Sequence, residues 1–145
     1  MTKESKNRPS GYAHRINAII EQALEFAGQE YGSSEGEPNV WNLKRGSAKV
    51  ELVFHPKRGI IYADAYLAVI PEGDSTDIYR YLLKENLFLN DISLSIKENN
   101  IIISFLTNDR DLSSTYLSKM IKKLLVAADK YDNILVEKFN ARWSK

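Results

Sequence analysis

One strand constrains this chain more than any other feature. From Ile60 to Ile70 both alternating faces are apolar or aromatic, interrupted only at Asp64. Successive side chains of an extended backbone point to opposite faces, so a strand apolar on both belongs in the middle of a sheet. The preceding segment is apolar on one face only. Ala48, Val50, Leu52 and Phe54 alternate with Lys49, Glu51, Val53 and His55, which predicts a half-buried strand over Ser47–His55. Pro56-Lys57-Arg58-Gly59 joins the two as a turn, because Pro presets one dihedral and Gly permits positive φ. Val40–Lys44 reads as a shorter strand that turns at Arg45-Gly46. Further on, Ile92, Leu94 and Ile96 alternate with Ser93, Ser95 and Lys97. After Glu98-Asn99-Asn100 the run Ile101–Leu106 returns as the second arm of a hairpin.

Three segments have the helical period instead. Between Gly11 and Tyr31, Tyr12, Ile16, Ile19, Ala23 and Phe26 recur every three or four residues, with Ile20, Leu24 and Ala27 beside them. Ser10 is the expected N-cap and Gly32 the expected left-handed stop, with residues 32–38 as a loop. Ser75–Leu87 carries Ile78, Leu82, Leu83 and Leu87 on one stripe, capped by Asp74 or Ser75. The last helix opens at Asp111 or Ser113 and carries Leu117, Ile121, Leu124, Ala128, Tyr131, Leu135 and Phe139. The order α-β-β-β-α-β-β-α contains no repeated strand–helix–strand unit. The fold class expected is therefore α+β, an antiparallel sheet with helices packed on it. Residues 1–9 read as a tail and 10–145 as a single domain.

Composition narrows the chemistry. The chain has 145 residues and no cysteine, so disulfides, thiolate metal sites and cysteine nucleophiles are excluded. Twenty Lys and Arg against nineteen Asp and Glu leave a formal charge of +1, which argues against a dedicated nucleic-acid binder. The polar start, Met1 to Pro9, lacks the apolar core of a secretory signal, and no apolar run approaches the roughly twenty residues of a membrane span. A cytoplasmic protein is expected, with no membrane contact.

Candidate sites meet simpler explanations. His14 and His55 have no nucleophile motif around them and read as surface or structural residues. Asp109 and Asp111 flank Arg110 before the last helix, where capping explains them without a metal. The glycines between Gly28 and Gly36 match neither a dinucleotide fingerprint nor a phosphate loop. Lys44-Arg45 and Lys57-Arg58 would form one basic end of the sheet, with Tyr62 and Tyr66 as stacking surfaces for single-stranded nucleic acid; ordinary solvated turn tips are the favoured explanation. Asp64 is the one charge in an apolar strand. It marks either a small-molecule or nucleotide site on the sheet face or an exposed face shared with Tyr62 and Tyr66. No catalytic residue, metal or cofactor is assigned.

Several local patterns, in this order, resemble one family. These are Val40-Trp41-Asn42-Leu43-Lys44-Arg45-Gly46-Ser47, then Ala68-Val69-Ile70-Pro71, then Tyr81-Leu82-Leu83-Lys84-Glu85-Asn86. The hairpin from Ser95 to Ile103 and Ala127-Ala128-Asp129-Lys130-Tyr131-Asp132 complete the set. Over Ile16–Phe139 the chain resembles the YbjN-domain proteins, which share the fold of the type III secretion (Tir, CesT-like) chaperones. The resemblance implies a small non-enzymatic homodimer, chaperone-like or regulatory, that offers apolar surface to a partner polypeptide.

Surplus apolar residues supply candidates for both contacts. Ile16, Ile19, Ile20 and Leu24 are the expected partner-binding set. Tyr79, Leu83, Leu87, Ile92 and Leu94 are the expected dimer interface. On that reading Ile20→Asp abolishes partner capture and leaves the fold intact.

Overall fold

The doubly apolar strand lies inside the sheet, as its pattern requires. A computed structural model of the chain describes residues 11–34 and 36–143. In it Ile60–Val69 (β4) pairs antiparallel with Ala48–His55 (β3) on one side and Asn100–Asn108 (β6) on the other. Glu37–Arg45 (β2) pairs with β3, and Tyr31–Ser34 (β1) closes that edge. Ser93–Lys97 (β5) pairs with β6 at the opposite edge. Arg142–Trp143 (β7) pairs with Ala68 and Val69 of β4. The sheet order is β1-β2-β3-β4-β6-β5, with β7 off this path.

Among the described residues there are three helices, Tyr12–Phe26 (α1), Thr76–Asn86 (α2) and Ser114–Phe139 (α3). They cover one sheet face. Val50, Leu52, Phe54, Ile61, Ala63, Ile103 and Phe105 point into this layer and are buried. α3 packs across β4 and β6, and α1 packs against α3. The Ser114 hydroxyl donates to the Ile19 carbonyl (3.1 Å), tying the start of α3 to α1. Tyr81 of α2 packs its ring against those of Tyr131 and Phe139 on α3. No helix among the described residues is long and apolar enough to cross a membrane.

The structure corrects the first helix. It ends at Phe26, not Tyr31, because Gly28 takes the left-handed φ of 65°. The Gly28 N–H then reaches the Glu25 carbonyl (2.9 Å) and the Gln29 N–H reaches the Leu24 carbonyl (3.0 Å). These two bonds satisfy helix-end carbonyls and turn the chain out. Gly32, expected as the stop, instead lies in edge strand β1 opposite Asn42. The expected Ser10 cap lies outside the described residues. At α2 the Asp74 carboxylate accepts from the Thr76 N–H (2.9 Å), while Ser75 makes no side-chain cap. At α3 the cap is Ser113, whose hydroxyl accepts from the Tyr116 N–H (3.0 Å); Asp111 is in the left-handed region at φ 61°.

Asn86 shows why the end of α2 has the sequence it does. Its side-chain amide donates to the Leu94 carbonyl (2.9 Å), and its carbonyl accepts from the Leu94 N–H (2.7 Å). The side chain thus pairs with β5 as a neighbouring strand would, covering part of an open edge.

Candidate functional site

Among the described residues no helix covers the second face of the sheet, and its residues fall into cross-strand rows. One row is apolar. Val40 lies opposite Val53, Val53 opposite Tyr62, and Tyr62 opposite Leu106, so β2, β3, β4 and β6 each contribute one side chain. Val40, Val53 and Tyr62 are half-buried and Leu106 is 63% exposed. The next row is polar: Asn42, Glu51, Asp64 and Ser104. Beyond it come Lys44, Lys49, Tyr66 and Ile102. Apolar area therefore lies beside a graded charge pattern on one open surface.

Asp64 belongs to this face, in line with Tyr62 and Tyr66. It is largely buried, not exposed as expected, and Lys97 Nζ lies 3.4 Å from its Oδ2. The same ammonium sits 5.7 Å from the centre of the Tyr66 ring. The Tyr66 hydroxyl above all, then the carboxylate of Asp64, hold the Lys97 ammonium above the usual lysine range against the opposing effect of burial. Burial first, and then the nearby charge of Asp64, raise the Tyr62 phenol. An open groove of about 620 Å³ adjoins this cluster, walled by Glu30, Gly32, Asn42, Lys44, Lys49 and Tyr66. Asp64 is not among its walls.

Three of the four α1 residues expected to meet a partner do not reach the surface. Ile16, Ile20 and Leu24 are buried, Ile20 at 0% exposure, and Ile19 packs half-buried against the core. The helix stripe reads the same whether it faces a core or a partner, and here the protein's own core, α3 included, occupies it. The expected dimer set divides in two. Tyr79, Leu83 and Leu87 form an exposed ridge on α2, with Leu83 at 72% and Leu87 at 80%. Ile92 and Leu94 point inward and are buried. Phe88, 72% exposed, follows the ridge in sequence and lines a separate groove against α3.

The basic turns do not combine. Lys44-Arg45 precedes β3 and Lys57-Arg58 follows it, so they sit at opposite ends of a strand about 25 Å long. His14 and His55 are exposed. Among the described residues no group of three or more Asp, Glu or His could hold a metal ion. Sequence reasoning missed the open-face row because its members come from four strands whose register no local pattern reveals.

No family model matches the chain, and no curated protein matches it in sequence. Solved structures do. The HopA1–SchA chaperone–effector complex includes a chain with TM-score 0.65 and 10% identity, over 87% of this chain and 99% of that one. The Yersinia pestis type III secretion chaperone SycH, in complex with a stable fragment of YscM2, aligns with TM-score 0.56 and 18% identity, over 78% of this chain and 96% of that one. YbjN from E. coli aligns with TM-score 0.65 and 8% identity, over 87% and 94%. The α+β architecture expected from the residues is thus the one found, and the chain has the fold of type III secretion chaperones and of YbjN.

Proposed function

We propose that this chain is a chaperone-like or regulatory protein-binding module that acts as a homodimer. The observation that carries this reading is the apolar row Val40–Val53–Tyr62–Leu106 on an uncovered sheet face. Three inter-strand gaps span about 14 Å, close to the reach from residue i to i+4 of an extended peptide. A segment crossing the strands thus lays alternate side chains along the row and turns the intervening ones away from the sheet. Burial of apolar area holds a ligand and transforms nothing, so the reading is one of binding, not catalysis. The fold supports it, because structural neighbours include chaperones bound to protein partners. The α2 ridge of Tyr79, Leu83 and Leu87 is the proposed dimer contact. The small-molecule alternative loses ground, since Lys97 already occupies the carboxylate it would use.

The test is capture of partners from the native lysate with tagged wild type and Leu106→Asp, identified by mass spectrometry. Leu106 is exposed, so the variant folds. A polypeptide retained by the wild type and lost with the variant supports the reading; none above background rejects it. Sedimentation velocity on Leu83→Asp tests the dimer, with conversion to monomer expected. A wild type that sediments as a monomer at micromolar concentration removes that part.

A further inference from the structure

A second recess lies in the helical layer, away from the open sheet face. Residues 88–92, which lead from α2 to β5, face α3 across a groove of about 490 Å³. Its floor is apolar. Phe88 is 72% exposed and Val126 59%, with Ala127, Ile92 and the Tyr131 ring between them. Its rim is basic. Lys122, Val126 and Lys130 repeat every four residues, which puts them on one face of α3 with the lysines about 12 Å apart. Lys123 adds a third cation, held 3.4 Å from Asp91. Two carboxylates flank the groove and both are engaged: Asp91 pairs with Lys123, and Glu85 accepts from the Tyr131 hydroxyl (2.8 Å).

We infer that this groove docks an acidic polypeptide segment carrying one large apolar anchor side chain. The anchor fills the space between Phe88 and Val126, and carboxylates on either side meet Lys122 and Lys130. Charge selects this occupant over a second copy of the chain. A two-fold contact here would set the lysines of one copy against those of the other, which is repulsive at close range. The whole chain is close to neutral at +1, and Lys123 is paired with Asp91, so Lys122 and Lys130 are a local excess of positive charge and not a property of the surface at large. The inference rests on the reading of the chain as a polypeptide binder, but it uses a different surface from the sheet row.

The test is fluorescence anisotropy with a short fluorescein-labelled peptide in which one Phe and one Leu are flanked by Glu, and a control peptide with Lys in place of Glu. Wild type is expected to bind the Glu peptide and not the Lys peptide. Reversing Lys122 and Lys130 together to Glu should weaken binding about tenfold, the sum expected of two exposed charge contacts turned repulsive. Lys57→Glu, a reversal at a distant turn, should stay within about twofold of wild type. Leu106→Asp should bind the Glu peptide like wild type, which separates this groove from the sheet face. Equal binding of both peptides, no binding of the Glu peptide, or an unchanged Lys122/Lys130 variant overturns the inference. Partner capture lost only with Leu106→Asp would then still leave the sheet-face reading standing. Circular dichroism on each variant confirms that the comparison is between folded proteins.

Discussion

Removing the Asn86 side chain amide should unlatch one edge of the sheet. Asn86 makes a two-point contact with the Leu94 backbone, at 2.9 Å and 2.7 Å, and Leu94 itself is 4% exposed. Asn86→Ala deletes both bonds and leaves one N–H and one carbonyl near the interior without these partners. A net protein hydrogen bond is worth about 1 kcal/mol, and an orphaned buried group costs about 1–3 kcal/mol. Water reaches the edge of β5 in part, so the lower half applies and the expected loss is about 2–3 kcal/mol. For a chain of this size that corresponds to a fall in Tm of about 5–10 °C. Urea unfolding followed by circular dichroism measures it, with the midpoint falling and the slope unchanged. Asn86→Asp keeps the acceptor and loses the donor, so it should fall between. The exposed neighbour Asn90→Ala is the control, expected within about 0.5 kcal/mol of wild type. If Asn86→Ala is no worse than Asn90→Ala, the strand-like latch contributes nothing and the argument fails. The uncovered edge should also make the variant aggregate faster on heating.

Three further outcomes follow from the same structure. Ile20→Ala should cost about 2–5 kcal/mol in chemical unfolding, because Ile20 is fully buried beneath the helices; a loss under 1 kcal/mol would return it to the surface. Gly28→Ala should cost about 1 kcal/mol through the left-handed backbone alone, since a Cβ there meets nothing within 4 Å. Asp132 is completely buried, and the Ser47 hydroxyl donates to its Oδ2 (2.6 Å). Burial, outweighing that bond, raises its carboxyl above the ordinary aspartate value. The folded state therefore holds this proton more tightly than the unfolded one. The stabilisation is fully present below the unfolded aspartate pKa and is lost as pH rises through the raised folded value. Relative to Asp132→Asn, the wild type should lose stability over that rise; a difference that does not change with pH would show that Asp132 does not titrate this way.

Much of the architecture was legible because it is written in local period. The strand over Ile60–Val69, apolar on both faces, could only be central, and α3 announced itself by its spacing and by Ser113. The motif ending in Asn86 was legible as a pattern, though not as a latch on β5. Boundaries near glycine were harder. The helical period runs on to Gly32, and only the Gln29–Leu24 bond and the pairing of Tyr31–Ser34 with β2 place the stop at Gly28. β7 carries two residues, too few for any period to show.

Sites were less legible than elements, for a reason that α1 makes plain. An amphipathic stripe states that a helix buries one face and leaves open what covers it. Ile16, Ile20 and Leu24 are buried in the protein's own core, while Leu83 and Leu87, equally apolar in sequence, face solvent. The row Val40–Val53–Tyr62–Leu106 spans four strands and exists only through their register. Residue order and hydrophobic period therefore determined that this chain makes a helix-covered antiparallel sheet with no thiol chemistry. Which apolar side chains remained outside, and which distant ones became neighbours, was decided by tertiary packing, because burial is shared among elements that no local pattern can place relative to one another.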